Sequence, residues 1–164
     1  MAPDTVYKKI ASTVGNNGKA CGIDISDGMV QITSQKLKKS GLINRVELYQ
    51  GDALKLPFVN KTFDAIFMSF TLELFDTPEI PLVLNETTRV LKKGGRIGIV
   101  SLSKAKGNST IVRIYEWIHR KWPKYVDCRP IYPEHSLRDA GYCIKRKELD
   151  KIFFLPIEIV VAVK

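Results

Sequence analysis

The chain has 164 residues, 45% of them hydrophobic and 26% charged, with a formal net charge of +9. That is enough chain for one domain around one apolar core, and too little for two domains of ordinary size, so residues 1–164 are expected to form a single domain. No apolar run approaches the roughly 20 residues of a membrane span, and MAPDTVYKK lacks the apolar stretch of a signal peptide.

Strand-like and helix-like segments alternate in chain order. Val6, Ile10 and Val14 recur at four-residue spacing, which predicts a helix over Thr5–Val14 ended by the GNNG turn at Gly15–Gly18. Ala20–Asp24 (ACGID) is a short apolar run closing on an acid, hence a buried strand. Ser26 is the N-cap of a helix running to about Ser40 and stopped by Gly41. Val46–Gln50 is a second strand, followed by the loop GDALKLPF (Gly51–Phe58). Phe63–Ser69 is a third strand, so continuously apolar that both its faces are expected to be covered. Thr77-Pro78 opens a helix with Ile80, Val83, Leu84, Thr87 and Leu91 on one face; Lys92 and Lys93 suit its negative end, and Gly94-Gly95 is expected to terminate it. Arg96–Ser101 is a fourth strand. Helices are predicted at Thr110–Trp122 and Pro133–Ala140, and strands near Tyr142–Leu149 and Ile157–Val163. The link between these last two is too short for a crossover, so they should be antiparallel neighbours. The pattern is α/β: a mostly parallel sheet with helices on both faces and an antiparallel hairpin at its carboxyl-terminal edge.

Charge and cysteine content narrow the partners. The basic balance favours an acidic partner in principle, but the Lys and Arg residues are scattered, so a solvated basic surface is expected in place of a nucleic-acid site. Cys21, Cys128 and Cys143 are odd in number and widely spaced, with neither metal-ligand spacing nor the density of a disulfide framework. A reducing, cytoplasmic location and no metal are the expectation.

In such a sheet, ligands sit at the carboxyl ends of the strands. Asp24 ends the first visible strand, where a carboxylate can accept from both hydroxyls of a ribose or can simply initiate the helix at Ser26. Asp52 follows the second strand, where it can accept from an exocyclic purine amine, beside Ala53 and Leu54, or can close an Asx-turn. Ser69, Phe70 and Thr71 follow the third strand, where small polar groups can line a cofactor tail.

The segments GIDIS (Gly22–Ser26), GDALKLPF, FDAIFMSF (Phe63–Phe70) and ETTRVLKKGGRIGIV (Glu86–Val100), in this order and each one βαβ unit apart, closely resemble the class I S-adenosylmethionine-dependent methyltransferases, in particular the group containing the ubiquinone and menaquinone biosynthesis methyltransferases. The resemblance extends to DAGY (Asp139–Tyr142) and covers nearly the whole chain. It implies a Rossmann-like fold and S-adenosylmethionine as cofactor. By position it implies that Asp24 holds the ribose hydroxyls, that Ile25 and Met29 flank the adenine or ribose, and that Asp52 meets the adenine amine with Ala53 in support. It places Ser69 beside the methionine moiety, with Phe70 and Thr71 between cofactor and acceptor. Arg89, Val90 and Gly94-Gly95 look like the family's structural signature.

The family's first strand, ending in an acid and then G-x-G-x-G, would precede the helix at Thr5, where only MAPD stands. The first strand is therefore read as missing and the domain as incomplete at its amino end. A start placed at an internal Met, a truncated relative with weak or no cofactor binding, or a strand supplied by another chain would each account for this. The implied reaction is in-line transfer of the sulfonium methyl to a small-molecule or lipid-like acceptor, for which proximity and alignment do most of the work. Ile111, Tyr115, Ile118 and Trp122 form an apolar stripe that either covers the sheet or lines an acceptor pocket. His119 and His135 read as surface residues, Glu73 as a base candidate or a solvated acid, and no catalytic residue is assigned. A non-catalytic binding module of the same fold and an RNA methyltransferase are the competing functions, and a homo-oligomer is compatible with the sequence.

Overall fold

The computed structural model describes residues 3–15, 18–104, 130–152 and 155–164, so the expected helix at Thr110–Trp122, with His119, and also Cys128 lie outside the described residues. The chain divides into two compact units, Met1–Pro57 and Phe58–Lys164. Among the described residues no helix is long and apolar enough to cross a membrane.

The first unit runs α1 (Pro3–Thr13), β1 (Ala20–Asp24), α2 (Asp27–Lys39) and β2 (Val46–Gln50). The two strands pair in parallel, from Ala20 opposite Val46 to Asp24 opposite Gln50, with α2 as the crossover. Their core is Ala11, Ala20, Leu37 and Val46, closed by Tyr7, Ile10, Leu42, Ile43 and Leu48. α2 begins where predicted: the Met29 N–H donates to Ser26 Oγ at 3.3 Å, and Lys36, Lys38 and Lys39 lie in the last turn against the negative helix end. Ser26→Ala is expected to cost about 1 kcal/mol in urea unfolding, the ordinary value of a lost N-cap; an unchanged midpoint would show that this long bond contributes nothing.

The second unit holds β3 (Phe63–Ser69), α3 (Ile80–Val90), β4 (Leu91–Leu102), α4 (Pro133–Asp139), β5 (Cys143–Ile152) and β6 (Leu155–Val163). Its sheet has the order β3-β4-β6-β5. β3 and β4 are parallel, while β4 with β6 and β5 with β6 are antiparallel, so the expected terminal hairpin is present. Ile97 and Ile99 on β4 face Ala162 and Val160 across the ladder, and all four are buried. Of the predicted stripe of α3, Ile80, Val83, Leu84 and Thr87 are buried on the helix, where Val90 joins them, whereas Leu91 is buried as the first residue of β4.

Two expectations change. β3 is not covered on both faces: it is the outer strand of its sheet, and Ala65 and Phe67 are exposed. An apolar run does not distinguish an outer strand from an inner one. The end of α3 is also earlier than charge and glycine suggest. Helix gives way to strand between Val90 and Leu91, because Leu91 already pairs with Phe63. Lys92 therefore lies on β4, where its ammonium donates to Asp64 Oδ1 at 2.8 Å, and Gly94, at φ +74°, bends a strand instead of ending a helix.

Candidate functional site

Parallel pairing of β1 and β2 sets Asp24 and Gln50 side by side, and the Gly51 N–H donates to Asp24 O at 3.0 Å. Asp24 and Asp52 thus leave the sheet from the ends of neighbouring strands. Asp24 is exposed, and its Oδ1 accepts from the Ser26 N–H at 2.9 Å. The helix-initiating role is therefore present, and Oδ2 keeps its lone pairs with no hydrogen bond among the described residues. Asp52 closes an Asx-turn: its Oδ1 accepts from the Leu54 N–H at 2.9 Å.

A small, partly open concavity lies at this end of the first unit, lined by Tyr7, Gly22, Ile23, Asp24, Met29, Val30, Thr33 and Leu48. It brings together Asp24 and Met29 of the sequence-derived residues. Ile25, 71% exposed, and Asp52 with Ala53 lie outside its lining. One lining group was not visible in the sequence. Tyr7 reaches from α1 so that its hydroxyl rests on Gly22, where a Cβ would collide with the phenol and would also stand 2.9 Å from Leu48 Cδ2. Burial raises the Tyr7 hydroxyl pKa above its ordinary value, and the negative charge of Asp24 adds to the rise. The glycine at position 22 is the only sequence trace of this approach.

Ser69 and Phe70 belong to the second unit, at the carboxyl end of β3. Phe70 is left-handed at φ +52°, a strained conformation for a bulky side chain of the kind that collects at functional sites. Its N–H donates to Val100 O at 2.7 Å. In a continuing parallel ladder the Leu102 N–H would next bond the Phe70 carbonyl. Instead it donates to Glu73 Oε1 at 3.0 Å, and Thr71 Oγ1 donates back to Ser69 O at 3.2 Å. Glu73 is 1% exposed, and its buried Oε2 has no hydrogen-bond partner among the described residues. Burial pushes its carboxyl up to about 7, against the opposing pull of the Leu102 N–H. Glu73 is thus not the solvated acid that was one of its two readings. His135 is exposed on α4, as expected of a surface residue.

The fold agrees with what the chain resembles. A family model described as a methyltransferase domain matches residues 5–95. A demethylmenaquinone methyltransferase of Lactococcus lactis is 38% identical over 154 residues, covering 81% of this chain and 59% of that protein. The Bacillus cytotoxicus demethylmenaquinone methyltransferase is 41% identical over 88 residues, covering 54% of this chain and 36% of that protein. The chain therefore spans between about a third and three fifths of the length of these curated relatives. A crystal structure of a SAM-dependent methyltransferase from Aquifex aeolicus superposes with a TM-score of 0.69 at 25% identity, covering 95% of this chain and 74% of that one. The chain belongs to the class I S-adenosylmethionine-dependent methyltransferase family, in the branch that holds the ubiquinone and menaquinone biosynthesis enzymes.

Proposed function

We propose that this protein transfers the methyl group of S-adenosylmethionine to a small quinone-like aromatic acceptor in the cytoplasm, with residues 1–164 forming one methyltransferase domain. The observation that carries this reading is the first unit's rim: an exposed carboxylate, Asp24, at the end of a parallel strand, opening onto a concavity with Met29 on its wall. Family membership supplies the rest. The donor set suits a nucleoside. Asp24 Oδ2 is an acceptor for sugar hydroxyls, and the Met29 thioether with the Val30 side chain gives a soft apolar wall for a ring. Asp52 retains Oδ2 for an exocyclic amine, since only its Oδ1 is used by Leu54.

When bound, S-adenosylmethionine supplies a methyl group already activated on sulfur. The protein's part is then to bind, orient and exclude water. Ser69 and Phe70 are proposed as cofactor-binding residues from the resemblance alone; within the second unit, the turn after β3 is held by Glu73 and by the Ser69–Thr71 hydrogen bond. The quinone-like acceptor follows from the relatives, both demethylmenaquinone methyltransferases by name.

Titration calorimetry with S-adenosylhomocysteine should show saturable binding at one site, on the order of micromolar. Transfer of a labelled methyl group to a reduced short-chain demethylmenaquinone analogue should follow. Binding without transfer to any hydroquinone would instead favour the binding-module reading, and no binding at all would refute the proposal.

A further inference from the structure

We propose that Tyr7 is a specificity-determining residue of the nucleoside site: its phenolic hydroxyl donates a hydrogen bond to a sugar oxygen of the ligand that Asp24 holds from the other side. The proposal rests on the methyltransferase reading above and adds to it a group that the strand-end rule does not select.

Three observations point the same way. Tyr7 lines the same concavity as Asp24, and its hydroxyl sits against Gly22, two residues back along β1 from Asp24. Position 22 admits this approach because it has no side chain: a Cβ there would overlap the hydroxyl and stand 2.7 Å from Tyr7 Cζ. The ring is packed against the core of the first unit, yet the hydroxyl makes no hydrogen bond among the described residues. A partly buried tyrosine usually finds such a partner. A phenylalanine would fill the core equally well without carrying an unpaired polar tip into the cavity.

The chemistry of a sugar diol explains why a second group is needed. Each hydroxyl both donates and accepts, whereas a carboxylate only accepts. Asp24 can take the hydroxyl protons and leaves the sugar oxygens without donors. A phenol kept protonated by burial and by the neighbouring charge supplies one. Asp24 and Tyr7 together then complement a ribose, and they discriminate against a deoxyribose more sharply than either does alone.

The test compares wild-type protein with Tyr7→Phe by calorimetry, using S-adenosylhomocysteine and its 2′-deoxy and 3′-deoxy analogues. Tyr7→Phe should weaken S-adenosylhomocysteine about five- to tenfold, the size of one hydrogen bond. For the analogue lacking the contacted hydroxyl, the variant and the wild type should bind alike. Thermal unfolding within about 2 °C of wild type would show that the packing survives. Equal affinity of both proteins for S-adenosylhomocysteine, or the same loss for all three ligands, would overturn the assignment and leave Tyr7 a core residue. If wild-type protein binds none of them, the methyltransferase reading fails and the assignment falls with it.

Discussion

Asp24→Ala should weaken S-adenosylhomocysteine binding by about 100-fold or more, the largest effect expected of any single residue in the concavity. Two hydrogen bonds from sugar hydroxyls to a charged acceptor contribute at least about 3 kcal/mol together at the low end of their range. The same residue also accepts from the Ser26 N–H, so alanine removes a support of α2 as well as a ligand contact. Asp24→Asn separates the two roles. The amide oxygen still accepts from Ser26, so unfolding should stay within about 0.5 kcal/mol of wild type. Affinity should nonetheless fall about tenfold, because a neutral acceptor forms hydrogen bonds roughly half as strong. If both variants bind as tightly as the wild type, Asp24 serves only to start its helix.

The second large effect concerns stability. With the Glu73 carboxyl raised to about 7 from an ordinary 4.5, the folded state holds a proton that the unfolded state has released between those values. Stability therefore falls as pH rises from about 4.5 through about 7, and is flat beyond. The full displacement corresponds to roughly 3 kcal/mol. Glu73→Gln keeps an oxygen for the Leu102 N–H and removes the titration. It should be more stable than wild type at pH 8, and the advantage should shrink by about 2 kcal/mol on going to pH 5. Urea unfolding of both proteins across this range checks the sign, since every other titrating group is common to both. Parallel curves would mean that Glu73 is solvated or already paired.

Much of the fold could be read because its determinants are local. β1, β2 and β3 begin and end where the sequence places them, and the acid at position 24 marks the end of β1. The stripe on α3 is legible because four-residue spacing and burial report the same face. The α3–β4 junction was misread because Lys92, Lys93 and the glycine pair satisfy local rules for a helix end, while the true boundary follows from a long-range pairing of Leu91 with Phe63. Tyr7 escaped for the same kind of reason: its place in the concavity depends on a glycine in another element. Glu73 stood out as an acid soon after a strand, but its burial depends on a ladder position across the sheet.

That ladder position separates two things that usually go together, the length of a strand and the point at which its neighbour's amides are satisfied. With a side-chain oxygen standing in for the missing rung, the backbone can depart at Phe70 without stranding the Leu102 amide. The residues just beyond are thereby relieved of sheet bonding, so their shape can be set by what they touch at the rim.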